Sequence, residues 1–403
     1  MKRRSLLVAL ALGLAAPLAA PAEAQATREY QALLDFASEL DNAATAPDFV
    51  GLAVAVVKED KIVLIRTYGV TEAGGTQKVT PDTVFRLASL SKGFAGTLAA
   101  LEQSEGKLDL QTRAIAYAPQ FKLRSAADTQ AVTLEDVLSH RTGLPPYAYD
   151  NLLEAGTPPK DILAKYGSVK STCKPGTCFT YQNTTFNIIA DAITKETGRA
   201  YEDELQDRIL KPLGMTTASL GRNGLMATGN WAHPHRRAGD GWVSVPVTEP
   251  YYRVPAAGGM NASISDLSKW LIAQMGGRPD VLSWAVLEEA HRSRVDTPPE
   301  SARQRALKTP VTKTSYGLGW RTYIYAGHKL MTHSGSVEGF VSQIAWLPEQ
   351  KTGIVILSNT RGSRAGKIMP TWLDYQLGLP KTDWFRMGDL LLAATPAGNA
   401  SGD

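Results

Sequence analysis

Leu52-Ala53-Val54-Ala55-Val56-Val57-Lys58-Glu59-Asp60-Lys61-Ile62-Val63-Leu64-Ile65 sets two apolar, β-branched runs on either side of a charged turn. Such a pair reads as a β-hairpin. A similar signal returns near the other end of the chain. There Gly339 to Leu347 and Gly353 to Leu357 are β-rich and flank Pro348-Glu349-Gln350-Lys351-Thr352. Before the first hairpin, Tyr30, Leu33, Leu34, Phe36, Ala37 and Leu40 recur at three- and four-residue steps, which predicts a helix over Arg28 to Ala44. Between the two hairpins, helical spacing dominates over Gly93–Glu105, Leu134–Ser139, Thr184–Thr197, Tyr201–Ile209, Ile264–Met275 and Val281–Ser293. A last helix, Ile368 to Leu377, is weakened by Pro370. Strands at both ends with helices between them predict an α/β domain built from both termini, residues 25–85 and 300–385, with a mainly helical insertion over 86–299.

Composition narrows the function. The 403 residues carry 43 Lys+Arg against 39 Asp+Glu, a formal charge of +4 without a Lys/Arg block, which argues against a nucleic-acid partner held by phosphate contacts. A hydrophobic share of 43% is ample for a large core. Lys2-Arg3-Arg4, the apolar run Leu6 to Ala16 and the small residues of Ala22-Glu23-Ala24 have the layout of a secretory signal peptide, taken as residues 1–24. The run is short for a membrane span of about 20 residues, so export to a periplasm without stable membrane anchoring is expected. Residues 390–403 read as a disordered tail. Cys173 and Cys178 are the only cysteines. They are too few for a Cys-rich zinc site and, in an oxidising compartment, read as a disulfide, with a reduced buried pair as the alternative.

Three Ser-x-x-Lys segments occur, at Ser89–Lys92, Ser104–Lys107 and Ser171–Lys174. Context separates them. Ser104 sits at a polar helix end, and Ser171 lies beside the cysteine loop. Ser89 follows the β-like Val84-Phe85-Arg86-Leu87 and opens a helical run, where free N–H groups favour a developing anion. Lys92, one turn on, reaches the same face and can serve as a base if desolvated. Helix capping by Ser89 is the competing reading. Tyr181-Gln182-Asn183 adds a phenol for proton transfer and an amide for a substrate carbonyl or Lys92. His333-Ser334-Gly335-Ser336, ahead of the strand from Gly339, adds a glycine that would let a substrate backbone approach. It also adds a Ser336 N–H that would join that of Ser89 as an oxyanion hole.

These three segments, in this order, resemble the motifs of the class C β-lactamase, DD-peptidase and serine esterase superfamily. So do Leu138-Ser139-His140-Arg141-Thr142-Gly143-Leu144-Pro145, Pro212-Leu213-Gly214-Met215, Ala257-Gly258-Gly259-Met260 and Tyr316-Gly317-Leu318-Gly319-Trp320. The resemblance implies an α/β fold with an antiparallel sheet flanked by helices, and an active site between sheet and helical domain. It also implies Ser89 as nucleophile, Lys92 and Tyr181 as proton-transfer groups, and Asn183, His333, Ser334, Gly335 and Ser336 as substrate-binding residues. His333 departs from the lysine of typical class C β-lactamases. Were it to contact a substrate carboxylate, anionic substrates would gain at mildly acid pH. His140 reads as a buried hydrogen-bonding residue, His233 and His235 as loop residues near the site mouth, and Arg361 and Arg364 as solvated surface. Neither a metal nor a cofactor is expected. The expected substrate is a small molecule: first a β-lactam, with a D-Ala-D-Ala-type peptide or an ester as alternatives and a non-catalytic penicillin sensor as a distant one. The expected state is a monomer.

Overall fold

The computed structural model describes residues 19–46, 48–362 and 364–386. The proposed signal peptide therefore lies outside the described residues except for 19–24, and the proposed tail lies wholly outside them. Residues 19–24 belong to the start of helix α1 (Ala19–Ala44).

Eight strands form the main sheet: β1 (Gly51–Lys58), β2 (Lys61–Gly69), β3 (Val295–Asp296), β4 (Val311–Tyr316), β5 (Arg321–Tyr325), β6 (His328–Val337), β7 (Phe340–Leu347) and β8 (Thr352–Ser358). Their order is β2-β1-β8-β7-β6-β5-β4-β3, and each neighbouring pair is antiparallel. The two ends of the chain meet at β1 and β8, in the register Val54↔Ile356 and Ala55↔Val355.

Both faces of this seam are covered, which is why β1 reads as one unbroken apolar run rather than an alternation. Leu52, Val54 and Val56 point with Ile354 and Ile356 toward Phe36 and Leu40 of α1 and toward Ile368 and Trp372 of the last helix. Ala53, Ala55 and Val57 point the other way with Val355 and Leu357, into a core shared with Phe94, Trp270, Leu271 and Trp320. Alternation of period two sorts one run between two cores.

The helical readings hold with local changes. Helix α2 spans Ser91–Ser104. The stretch from Thr184 starts as a 3₁₀ turn, Thr185–Asn187, before the helix Ile188–Thr197. The helix from Tyr201 becomes a π turn at Gln206–Leu210. The last helix runs Ala365–Leu377 straight through Pro370, and the Thr371 hydroxyl donates to the Lys367 carbonyl at 2.9 Å. Strands β3, β4, β5 and β6 are additions to the sequence reading, and β3 carries the main sheet back to Val295, inside the stretch read as the helical insertion. His333–Ser336 consequently lies inside β6 itself, directly ahead of the expected strand β7.

Candidate active site

Ser89 sits in a 3₁₀ turn, Ala88–Leu90, between the short strand Phe85–Arg86 and α2. Ala88 is left-handed, with φ of +48°, a conformation that costs a non-glycine residue about 1 kcal/mol or more. The cap position of α2 is Leu90, with no side-chain cap bond, so Ser89 does not act as the cap and the competing reading falls. The turn is pinned from two sides. Ser91 Oγ donates to the Ala88 carbonyl at 2.6 Å and accepts from the Met260 N–H at 3.0 Å. Ser342 Oγ, on β7, donates to the Leu87 carbonyl at 2.6 Å.

Gly335 has a different role from the one expected. A Cβ there would lie 2.0 Å from the Leu87 carbonyl oxygen and 3.0 Å from the Leu90 nitrogen. Its missing side chain lets β6 press against the Ser89 turn, not against a substrate. Strand β5 pairs with β6 only as far as Thr332, opposite Arg321, so beyond that point this edge of β6 faces the turn. Ser334 and Ser336 line the same cavity as Ser89.

Lys92 is fully buried. Its Nζ donates to Asn183 Oδ1 at 2.8 Å and to the Ala257 carbonyl at 2.9 Å, and lies 3.4 Å from Ser89 Oγ. The Tyr181 ring face is 4.8 Å from it. Burial pulls its pKa down to about 7, helped by the Arg321 charge and opposed by Asp150. Tyr181 hydrogen-bonds with the Ser89 hydroxyl, and burial raises its pKa against that bond, so it remains a phenol at neutral pH.

The segment holding Tyr181 is built on His140. This buried residue, left-handed at φ +59°, accepts at Nδ1 from the Gln182 N–H at 3.2 Å, and its carbonyl accepts from the Thr180 N–H at 2.7 Å. Its ring packs 4.2 Å from that of Tyr181. Burial and the charges of Lys92 and Arg321 hold its pKa well below the ordinary histidine value, in keeping with a structural neutral imidazole. The Cys173–Cys178 disulfide closes the loop just upstream. Its Cys173 carbonyl abuts Gly143, where a Cβ would stand 2.4 Å from the oxygen.

His333 does not reach the cavity. It is 1% exposed, with Nε2 3.0 Å from the Tyr316 hydroxyl and Nδ1 3.0 Å from the Ser334 carbonyl. Burial, with Arg321 and Lys92 nearby, lowers its pKa well below the ordinary value. Neutral and doubly bonded, it is no carboxylate partner at mildly acid pH, which overturns the expected acid-side gain.

The fixed cation is Arg321, which the sequence reading missed. It packs against the rings of Tyr316, Tyr181 and Phe179 at 5.2, 5.7 and 5.8 Å. Glu300 lies 4.0 Å from one of its nitrogens, Nη1, which is buried without a hydrogen-bond acceptor. Nothing local marks it; strand pairing, Arg321↔Thr332, sets it one residue from His333. Arg361 is exposed, as expected, and also lines the cavity, while Arg364 pairs with Asp48 at 3.2 Å. His235 is buried, not at the mouth. It accepts from the Ala73 N–H at 3.0 Å and meets the Asn359 carbonyl at 3.0 Å, while His233 stacks on Trp231 at 3.9 Å.

The cavity over these groups measures about 900 Å³ and is lined by Ser89, Tyr181, Asn183, Arg321, Ser334 and Ser336 among others. The family described as Beta-lactamase matches residues 36–376. The chain belongs to the β-lactamase family. Among characterised relatives, it is 29% identical over 81% of its length to an unguisins hydrolase of Aspergillus campestris, and 26% identical over 79% to protein flp of Staphylococcus aureus. It spans 61% of the length of each of those two proteins. The octameric penicillin-binding protein homologue from Pyrococcus abyssi shares the fold, with a TM-score of 0.74 at 24% identity over 86% of this β-lactamase-family chain and 78% of that one.

Proposed function

We propose that the chain is an exported hydrolase that acylates Ser89 with a carboxylate-bearing amide, a β-lactam in the first place and a D-Ala-D-Ala-type peptide in the second. The observation that carries this reading is the pairing of Lys92, buried with a pKa near 7, with a Tyr181 phenol on the same serine hydroxyl. At neutral pH a substantial share of Lys92 is unprotonated. It takes the Ser89 proton as Oγ attacks the carbonyl carbon. The N–H groups of Ser89 and Ser336 receive the oxyanion, each such donor contributing roughly 3 kcal/mol. Tyr181, still protonated, gives its proton to the departing amine nitrogen as the C–N bond breaks. It then stands as the phenolate that draws a proton from the water attacking the acyl-enzyme, while Lys92 returns its proton to Ser89 Oγ as the ester C–O bond breaks. Asn183 presents its amide to the acyl side, and Arg321 holds the carboxylate beside Tyr181. Hydrolysis by the Aspergillus relative supports the reaction class, and the disulfide supports an oxidising destination such as the periplasm.

The test is intact-protein mass spectrometry after mixing with a penicillin, alongside nitrocefin turnover and Ser89→Ala. Turnover abolished in the variant is the expected result. A long-lived adduct on Ser89 without turnover would replace it with the peptidase reading. Neither adduct nor turnover, with p-nitrophenyl esters cleaved, would replace it with an esterase.

A further inference from the structure

Asp150 belongs to no motif in the sequence, yet the chain goes to some length to place it. The segment Pro145-Pro146-Tyr147-Ala148-Tyr149-Asp150 follows the His140 turn and holds two left-handed tyrosines, Tyr147 and Tyr149, each at φ +57°. Left-handed bulky residues are strained, and such strain persists where surrounding structure enforces it. Here the Tyr147 N–H donates to the Tyr181 carbonyl at 2.8 Å, and the Asp150 N–H donates to the Tyr147 carbonyl at 3.1 Å. The result is a carboxylate, 8% exposed, at the wall of the Ser89 cavity. Oδ2 accepts from Asn183 Nδ2 at 2.7 Å, while Oδ1 is buried without a hydrogen-bond donor.

An Asn amide has one oxygen and one NH₂, and either can face a neighbour. Asn183 turns its oxygen to the Lys92 ammonium and its NH₂ to Asp150. The reverse orientation would aim N–H groups at Lys92 and the amide oxygen at a carboxylate, both repulsive. A carboxylate, which accepts only, settles the choice.

We propose that Asp150 is a positioning residue of the acylation machinery: it fixes the Asn183 amide with its oxygen toward Lys92 and supplies the counter-charge of the Lys92 ammonium. This rests on the reading of Ser89 as the acylated nucleophile. The charged groups bearing on Lys92 are Asp150, which favours its proton, and Arg321, which opposes it. The remaining neighbours are the neutral imidazoles of His140 and His333, the ring faces of Tyr181 and Phe186 and the Ala257 carbonyl. The Asp150 charge in turn acts through space on Glu154, one turn along, and on Tyr166 and Tyr251, whose hydroxyls donate instead to the Ala148 carbonyl and to Glu154. Burial raises its own pKa, and the Asn183 bond and the Lys92 charge oppose that rise.

Two variants separate orientation from charge. Asp150→Asn keeps an oxygen able to accept from Asn183 but loses the charge. With one favourable neighbour gone, Lys92 gives up its proton at lower pH. The acid-side midpoint of kcat/KM for p-nitrophenyl butyrate should then move down by about one unit or more, with a plateau loss smaller than that of Asp150→Ala. Asp150→Ala loses both, and its plateau should fall roughly 10- to 100-fold while thermal melting shows a folded protein. An unmoved midpoint in Asp150→Asn together with a wild-type plateau in Asp150→Ala would overturn the proposal. If that happens in a protein whose wild type forms an acyl-Ser89 adduct by mass, the serine-hydrolase reading survives. A wild type that never acylates overturns both.

Discussion

Lys92 is a fully buried amine whose proton affinity is depressed by burial, and that has opposite consequences for chemistry and for stability. In the unfolded chain it holds its proton to about pH 10.4; in the fold it releases it near 7. Between these two values the unfolded state binds more protons, so this residue makes the protein more stable as pH rises through that window. Below 7 the fold carries the full penalty of a buried ammonium. Lys92→Met should therefore raise the melting temperature, most at pH 6 and least above pH 10, while abolishing acylation. A variant that melts lower at pH 6 would contradict the buried-ammonium account. For the wild type, the acylation rate should fall as pH drops below about 7, and His333→Gln should leave that midpoint in place because His333 is already neutral. Arg321→Met should raise KM for a carboxylate-bearing substrate roughly 10- to 100-fold, as a lost charged hydrogen bond does. The same change should affect an uncharged aryl ester far less, a contrast that steady-state kinetics with the two substrates would read.

The elements around the site differ in how plainly the sequence announces them. The hairpin of β1 and β2 is visible because its side chains are apolar on both faces, and α2 because its spacing is helical. Strands β4 and β5 are not. Thr314 and Ser315 are buried yet polar, held by hydroxyl contacts such as Thr297 to Thr314 at 2.6 Å and Ser293 to Ser315 at 2.7 Å, so the period-two contrast disappears. Ser89, Lys92, Tyr181 and Asn183 were legible because they lie in short motifs. Arg321 and Asp150 were not, since one arrives by strand register and the other by two left-handed tyrosines. Gly335 was noticed for the wrong neighbour, because sequence cannot show that Leu87 lies against it. Gly335→Ala should push β6 off the Ser89 turn, costing about 1–3 kcal/mol of stability and most of the activity; thermal melts and acylation assays would show both. Cutting the disulfide with Cys173→Ser and Cys178→Ser removes about 2 kcal/mol by loop-entropy arithmetic for so short a ring. A melt of the double variant at unchanged pH checks that figure.

At the scale of the whole molecule, the cavity is made of parts from distant stretches: a turn near residue 89, a segment near 181 and two strands past 320. The sheet that holds them together closes only where β1 meets β8. Synthesis on a ribosome proceeds from one end at roughly 5–20 residues per second, so β1 waits on the order of tens of seconds for its partner. Throughout that interval a strand with two apolar faces has one edge unpaired, which is a template for pairing with the wrong chain. A chain that has made β1 but not yet β8 is therefore the form most prone to pair with a second copy of itself.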